Sequence, residues 1–452
     1  MMITSKNLTF SYDQNIKILD NLNLEIPTGQ FSLLIGPTGC GKSTLLKVLA
    51  GLYPKYAGKV SGSLNLNGLK SAIMFQNASE QFTMATPREE IIFALENLQI
   101  NQEDYHKRLT AGVKFAQIEN LLDQKINTMS GGEQQRVALA VLIAMDIDLF
   151  LLDEPFASCD PQARQFLITK LAHLRDQGKT IILSDHILNG YQNICDCLFQ
   201  FAGHHVQQLD SLAKDKLLQT STHKNNYSFA LPQNETACFT LNKTQLTQNR
   251  RLLNQDQLKI IAGKTTLITG ANGVGKTSLF NALTKMLPYN GSLTYHNREV
   301  RQQATRKYLL HVAQIFQNAT DQFLSVTVQD EIDLSKKQRT NDFFTDEKIN
   351  EVLADLDLNQ HLDQVVYSLS GGQQKKLQIL LMLIADQDVL LIDEPLSGLD
   401  HVSSQKVMQL LRQSQKKREQ TLLIISHELD GLADWCDYHL VFADKQLHYV
   451  TK

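Results

Sequence analysis

The chain lacks three things that would set it apart from ordinary globular proteins of the cytosol: paired cysteines, a basic surplus and a long apolar run. Its 452 residues include six cysteines and carry a formal charge of −3. No cysteine belongs to a Cys-x-x-Cys pair, so free thiols in a reducing cytosol are expected. The charge gives no electrostatic footprint for nucleic acid, and we therefore predict no nucleic-acid partner.

Nothing in the chain resembles a membrane anchor. Residues Met1–Lys6 lack the apolar core of a signal peptide. The apolar stretches Val137–Met145 and Leu377–Ala385 fall well short of the ~18 residues that cross a bilayer, and they predict core helices. If the protein works at a membrane, another chain must supply the spanning part. The last motif residue, His427, lies close to the final residue, Lys452, so no appended regulatory domain is expected.

The chain contains one set of motifs twice. The first copy has Gly36–Ser43, Gln76, Ser130–Glu133, Asp153, Glu154 and His186, and the second has Gly270–Thr277, Gln317, Ser370–Gln373, Asp393, Glu394 and His427. The offset between the copies is 234 at the lysines (276 − 42), 240 at the aspartates (393 − 153) and 241 at the histidines (427 − 186). A period this long indicates a duplicated domain. We predict domains over residues 1–208 and 236–452, joined by a polar linker over residues 209–235.

Each copy alternates between strands and helices. Residues 148–152 and 388–392 are fully apolar after their first aspartate, as buried parallel strands are. Between the glutamine and the Ser-Gly-Gly of each copy, the apolar spacing is helical, as in Ile91–Leu95 and Ile349–Leu358. We predict the α/β class, with two P-loop NTPase domains that each have a largely parallel sheet core and a small helical subdomain.

Each copy carries the phosphate-loop pattern Gly-x-x-x-x-Gly-Lys-Ser/Thr between a strand and an apolar helix. Its glycines let successive backbone N–H groups turn towards a phosphate, its lysine reaches the terminal phosphates, and its Ser or Thr ligates Mg²⁺. The pattern predicts ATP and Mg²⁺ as cofactors. The predicted contacts in the first copy are Gly36, Pro37, Thr38, Gly39, Cys40, Gly41, Lys42, Ser43 and Thr44; those in the second are Gly270, Ala271, Asn272, Gly273, Val274, Gly275, Lys276, Thr277 and Ser278.

Acidic pairs end the apolar strands of both copies. Asp153 and Asp393 point to the Mg²⁺ position, and Glu154 and Glu394 are placed to polarise the attacking water. Strand-end acids can also be mere caps, but beside two phosphate loops we favour catalysis. By the same reasoning, Gln76 and Gln317 contact Mg²⁺ and the attacking water, and His186 and His427 contact the γ-phosphate.

A Ser-Gly-Gly sequence opens an apolar helix in each copy. A serine at a helix start, followed by two glycines, offers a hydroxyl, backbone N–H groups and the helix dipole to a phosphate. If these helix starts lie at the far end of the helical subdomain, each serves the other copy's phosphate loop. The residues concerned are Ser130, Gly131, Gly132 and Glu133, and Ser370, Gly371, Gly372 and Gln373.

Together, these motifs make the chain resemble an ABC-type ATPase over nearly its whole length. More narrowly, residues 75–82 and 316–323 are similar to the Gln-loop stretch of the energy-coupling factor ATPases, which drive uptake of vitamins and of nickel or cobalt. The resemblance implies an ATPase that binds at the cytoplasmic face of the cell membrane. Its expected partners are a transmembrane coupling subunit and small substrate-binding membrane proteins.

The resemblance also implies that the two domains pair head to tail within one chain and close on two ATP molecules. Site one would combine the first copy's catalytic residues with Ser370–Gln373, and site two the second copy's with Ser130–Glu133. Tyr12 resembles the aromatic residue that stacks on adenine. The lysine offset of 234 leads to Leu246, so the second copy has no obvious equivalent of Tyr12, and Phe239 is a weak candidate.

The departures from the family pattern fall on site two. Met129 and Glu133 stand where the signature usually has Leu and Gln, and the D-loop over residues 157–160 is unusual. We therefore expect site one to be complete and site two to be weakened, although Glu394 and His427 remain.

Two alternatives to an importer motor stay open: a soluble tandem ATPase acting on ribosomes or DNA, and an exporter motor.

Glu90 and Glu331 follow the cap positions of the helices after each Gln loop. They are either acids favoured by the helix dipole or partners for arginines of a membrane subunit.

Overall fold

The computed structural model describes residues 1–12, 17–76, 78, 81–156, 159–203, 205–220, 227–248, 250–337, 339, 343–427, 429 and 431–451. The chain divides into two compact units, residues 1–224 and 225–452. No helix among the described residues is long and apolar enough to cross a membrane.

The first unit contains nine strands and six helices among its described residues. The strands are β1 (Met2–Ser11), β2 (Lys17–Pro27), β3 (Phe31–Ile35), β4 (Lys59–Asn65), β5 (Ser71–Met74), β6 (Leu149–Asp153), β7 (Thr180–Ser184), β8 (Cys197–Ala202) and β9 (His205–Gln208). The helices are α1 (Lys42–Leu49), α2 (Pro87–Asn97), α3 (Gln102–Ala116), α4 (Gly131–Ala144), α5 (Pro161–Asp176) and α6 (Ser211–Thr220).

The second unit repeats this order with β14 and α8 added between the strands that correspond to β4 and β5. Its strands are β10 (Ala237–Thr247), β11 (Arg251–Ile261), β12 (Thr265–Thr269), β13 (Asn290–Tyr295), β14 (Arg298–Glu299), β15 (Val312–Ile315), β16 (Val389–Asp393), β17 (Thr421–Ile425), β18 (Tyr438–Ala443) and β19 (Gln446–Val450). Its helices are α7 (Lys276–Leu283), α8 (Thr305–Tyr308), α9 (Val328–Lys336), α10 (Asp346–Asp355), α11 (Gly371–Ile384) and α12 (His401–Arg418).

A six-stranded sheet forms the centre of each unit. The strand orders are β5-β6-β7-β3-β8-β9 and β15-β16-β17-β12-β18-β19, and only the last pair of each sheet is antiparallel. Every residue of β3, β6, β7, β16 and β17 is buried. Strands covered on both faces read as continuous apolar runs, so the predicted α/β class and largely parallel core are confirmed.

Two features were not predicted. A second, antiparallel sheet stands in each unit, with the orders β2-β1-β4 and β11-β10-β13-β14. The predicted linker is partly built into the units: α6 buries Leu218 against the first core, and Phe229 is buried in the second core. Phe229 also donates its backbone N–H to the carbonyl of Thr451 over 3.0 Å.

The helical subdomain of the first unit is built on α2 and α3, which share an apolar core with α4. In α2, Thr86 is the cap, Pro87 is the first helical residue, and Glu89 completes a capping box with Thr86. In the second unit Thr327 caps α9 by accepting from the N–H of Asp330. The sequence predicted both helix starts.

Candidate functional site

The two phosphate loops lead from β3 into α1 and from β12 into α7. The residue before each helix, Gly41 or Gly275, has a φ of +102° or +115°, which a side chain rarely tolerates. A Cβ on Gly36 would lie 2.7 Å from the Cβ of Phe201. Gly41 and Gly275 are therefore required by the backbone conformation of the loops, and Gly36 by the close approach of Phe201.

The loop lysine makes the same contacts in both units. The Nζ atom of Lys42 donates to the carbonyls of Gly36 (2.8 Å) and Pro37 (3.0 Å). Lys276 donates in the same way to the first two carbonyls of its loop, at 2.7 and 3.0 Å. Both ammonium groups are thus held at the mouth of the loop, where the terminal phosphates of ATP bind in P-loop proteins.

The predicted Mg²⁺ ligands lie together. Ser43 donates its hydroxyl to Asp153 over 2.9 Å, and Thr277 donates to Asp393 over 2.7 Å. Burial raises the pKa of both carboxyls, and the hydroxyl hydrogen bonds act against that rise. One hydroxyl and one carboxylate fit a Mg²⁺ ion that takes its remaining ligands from phosphate oxygens and water. The described residues contain no cluster of three or more His, Cys, Asp or Glu that could hold a metal without a nucleotide.

The glutamates after β6 and β16 have strained backbones. Glu154 has a φ of +44° and Glu394 a φ of +50°, in the left-handed region that side chains other than glycine seldom occupy. Such a conformation costs on the order of 1–3 kcal/mol and persists only where the surroundings enforce it. The backbone N–H of Glu154 is held by the carbonyl and the hydroxyl of Ser184, at 3.0 and 3.1 Å.

In the first unit Glu154 is bracketed by the other predicted catalytic residues. Gln76 donates its amide to Glu154 over 2.7 Å, and the Nε2 atom of His186 lies 2.8 Å from the other carboxylate oxygen. In the second unit the corresponding His427–Glu394 distance is 3.6 Å, and Gln317 is exposed. The first unit therefore brings both Gln76 and His186 against its glutamate, whereas the histidine of the second unit stands farther from its glutamate.

Ser184 was missed by the sequence reasoning. Its hydroxyl donates to Asp153 over 2.8 Å and also accepts from the N–H of Glu154. It is the last residue of β7, and Ile425 ends the matching strand β17. The sequence does contain a signal for Ser184. It is a polar residue at the end of an apolar strand, and that strand lies next to the one that carries Asp153.

The helix starts of the signature sequences are capping boxes in both units. Ser130 and Ser370 accept from the N–H groups of Glu133 and Gln373, and the latter side chains accept from the serine N–H groups. In the first unit the Ser130 hydroxyl also donates to the Glu133 carboxylate over 2.8 Å. Glutamate therefore preserves the cap but adds a negative charge at the hydroxyl that was predicted to contact a phosphate.

The predicted adenine-stacking residue Tyr12 is half exposed. Its ring stands edge-on to Phe10 and Tyr53, and its hydroxyl lies 3.2 Å from that of Tyr53. An exposed aromatic face beside the phosphate loop suits stacking on a base. Of the unusual D-loop, Ala157 and Ser158 lie outside the described residues.

Leu246 and Phe239 are both fully buried, so neither can stack on an adenine as Tyr12 is predicted to do. In the antiparallel sheets Phe10 pairs with Leu19 just as Leu246 pairs with Leu253. Leu246 therefore occupies the position that corresponds to the buried Phe10. Two residues further on, Gln248 corresponds to Tyr12. The stretch from Leu246 to Leu253 is two residues shorter than the stretch from Phe10 to Leu19. The offset of 234 therefore does not apply to residues that precede this connection.

Glu90 and Glu331 have a role that neither earlier interpretation contained. Their side chains are buried, at 6% and 3% exposure. Glu90 accepts from the backbone N–H groups of Thr83 (2.9 Å) and Met84 (2.7 Å), and Glu331 accepts from those of residues 324 and 325. Each carboxylate fastens the chain that leaves the Gln loop to the following helix, and this removes the premise that the acids face a partner's arginines.

The sequence profile of the ABC transporter family matches residues 19–157 and 253–397, together more than half of the chain. The chain thus belongs to this family and is a tandem ABC ATPase that binds ATP with Mg²⁺ and hydrolyses ATP. These predictions from the sequence are confirmed.

Relatives of similar length include a Bacillus subtilis (strain 168) protein provisionally named HMP/thiamine import ATP-binding protein YkoD. It is 27% identical over 99% of this chain and 91% of its own length. A Methanosarcina acetivorans protein, provisionally named an ABC transporter ATP-binding protein, is 28% identical over 96% of this chain and 87% of its own.

Among solved structures, the chain resembles one from a crystal structure of archaeal ribosomal stalk protein aP1 with the archaeal ribosome recycling factor aABCE1. The TM-score is 0.63 at 21% identity, covering 96% of this chain and 87% of that one. At this identity the likeness concerns the fold alone.

Proposed function

We propose that the protein is the ATP-hydrolysing motor of an importer of the energy-coupling factor type, which takes up a vitamin-like small molecule or a transition-metal ion. The observation that carries the proposal is the relative provisionally named for HMP/thiamine import, which aligns with 99% of this chain. The Gln-loop stretches at residues 75–82 and 316–323 support the same class. The partners are a transmembrane coupling subunit and small substrate-binding membrane proteins, which hold the motor at the cytoplasmic face.

In the proposed chemistry, Glu154 polarises the attacking water while Gln76 and His186 hold its carboxylate in place. Lys42 would neutralise the terminal phosphates, and Ser43 and Asp153 would hold a Mg²⁺ ion that stabilises the charge developing in phosphoryl transfer. The distances of 2.7 Å from Gln76 and 2.8 Å from His186 to Glu154 support this assignment. Glu394 takes the same role in the second unit, where His427 lies 3.6 Å from its carboxylate.

We also propose, from the resemblance to the family, that the signature serine of each copy completes the ATP site of the other copy. Analytical ultracentrifugation of the Glu154→Gln, Glu394→Gln variant with Mg-ATP tests this arrangement, because the variant should bind ATP without hydrolysing it. A compact monomer is expected. An obligate dimer of chains would show that the sites form between chains instead.

The transport proposal is tested by purifying the tagged full chain in mild detergent from membranes of its own cells. Co-purification of a multispanning subunit with small membrane proteins is expected, and the complex in proteoliposomes should accumulate substrate only when ATP is supplied on the side that carries the motor. The Lys42→Ala, Lys276→Ala variant is the matched control, since it should assemble without transport. Co-sedimentation with ribosomes and absence from membranes would favour the soluble alternative.

A further inference from the structure

Three side chains buried beside the first unit's His loop take no part in the chemistry proposed so far. Arg164 lies on α5, Asp185 stands between β7 and His186, and Tyr191 lies a few positions after the histidine. The Arg164 and Asp185 side chains are only 12% and 9% exposed, and Tyr191 is completely buried. A buried arginine and a buried carboxylate persist only where they pair with each other and make further hydrogen bonds.

Asp185 fastens the backbone on which His186 stands. One carboxylate oxygen accepts from the N–H groups of His186 (2.7 Å) and Ile187 (3.0 Å). The other oxygen accepts from the hydroxyl of Tyr191 (2.7 Å) and from a guanidinium N–H of Arg164 (3.0 Å). With four donors on one carboxylate, the peptide that carries the histidine has little freedom to turn.

Arg164 extends these contacts across the loop. It donates to the carbonyls of Ile187, at 2.7 Å, and Asn189. Its guanidinium lies over the rings of Tyr191, at 5.1 Å, and Phe156, at 5.3 Å. Phe156 closely follows Glu154 in the chain, so one cation contacts both the His loop and the segment that leaves the catalytic glutamate. The planar fork of arginine permits this set of contacts, which a lysine could not reproduce.

The second unit has none of these groups at the matching positions. Asp160 and Asp400 cap α5 and α12 with an offset of 240 (400 − 160), and the same offset takes Arg164 to Ser404. The offset of 241 between the histidines takes Asp185 and Tyr191 to Ser426 and Leu432. The unit with the network holds its histidine 2.8 Å from its glutamate, whereas the unit without it has 3.6 Å.

We propose that Arg164, Asp185 and Tyr191 are positioning residues for ATP hydrolysis at the site of Lys42. They hold the His loop so that His186 stays against Glu154, and they tie that loop to α5, the helix that follows the D-loop. The proposal rests on the assignment of Glu154 and His186 to hydrolysis and does not depend on transport. Its test therefore uses the ATPase activity of the isolated full chain.

The test replaces these residues with those of the second unit, as Asp185→Ser, Arg164→Ser and the double variant. Loss of the fixed histidine should lower kcat by about tenfold, which corresponds to roughly 1.4 kcal/mol of transition-state stabilisation. KM for Mg-ATP should change by less than about twofold, because the phosphate loop is untouched. Ser404→Ala in the second unit is the matched control and should keep the wild-type kcat.

Stability and activity should separate in the double variant. Asp185→Ser leaves Arg164 buried without its counter-charge and should lower the melting temperature, whereas removing both charges should restore much of it. If the residues position His186, kcat stays low in the double variant. A kcat that recovers together with the melting temperature would show that the network only supports the fold and would overturn the proposal.

Tyr191→Phe decides the question if Asp185→Ser does not fold. This variant keeps the ring and removes one donor, and a hydrogen bond of about 1 kcal/mol corresponds to roughly a fivefold loss of kcat. An unchanged kcat in this variant would likewise refute the proposal.

Discussion

A buried lysine in the second unit predicts how the free energy of unfolding should change with pH. Lys375 on α11 is 4% exposed, and its Nζ atom donates to the carbonyls of Phe316 (3.2 Å) and Gln317 (2.8 Å). The first unit has Gln135 at this position, and its amide donates to the carbonyl of Gln76 over 3.4 Å. Burial lowers the pKa of Lys375 to about 8, although the nearby Asp393 and Glu394 favour the charged form.

The size and sign of the effect follow from linkage. A fall in the pKa from 10.5 to about 8 corresponds to roughly 3 kcal/mol, because one pKa unit is about 1.4 kcal/mol. Between these values the unfolded chain holds the proton more tightly than the folded protein does, so stability rises with pH. Below about pH 8 the folded protein bears the full cost of the buried charge. Between pH 7.5 and 9.5 the gain should reach roughly 2 kcal/mol.

The perturbation is Lys375→Gln, which installs the first unit's residue. Unfolding of the nucleotide-free full chain in urea can be followed through Trp435, the chain's single tryptophan, which packs against the second unit's core. The free energy of unfolding of the wild type relative to the variant should increase across this pH range. Lys417→Gln, at an exposed position of α12, is the control and should give no such trend. A difference between wild type and Lys375→Gln that stays constant with pH would refute the reasoning.

Three further predictions concern the ATP sites and the Gln loops. Glu154→Gln should lower steady-state ATP hydrolysis more than Glu394→Gln, because the first unit brackets its glutamate more closely; equal losses would contradict this. Replacing Tyr12 with Ala should raise KM for Mg-ATP several-fold, since stacking contributes roughly 1 kcal/mol, while Tyr12→Phe should remain near the wild type. Glu90→Ala and Glu331→Ala should each lower the free energy of unfolding by about 2–3 kcal/mol, because each leaves two backbone N–H groups without a charged acceptor. Calorimetric unfolding at or near the wild-type temperature would show that these carboxylates do not hold the loop.

The sequence by itself determined the duplicated architecture, the parallel strands and the phosphate loops. These features depend on neighbours in the chain: a strand buried on both faces must be apolar throughout, and a loop with a φ of +102° or +115° before its helix must have glycine at position 41 or 275. The helix start at Thr86 was predictable for the same reason, since a cap and its partner are close neighbours in the chain.

Only the tertiary structure decided which distant groups meet. The register of the antiparallel sheets assigns Gln248 to the position of Tyr12, because the connection between the first two strands is shorter in the second unit and the offset of 234 holds only after it. Glu90 has the pattern of an exposed helix-start acid, yet the fold buries its carboxylate against backbone N–H groups. Arg164 and Asp185 belong to different elements of the chain, and they pair because α5 packs beside the end of β7, a contact that neither residue's neighbours in the chain encode.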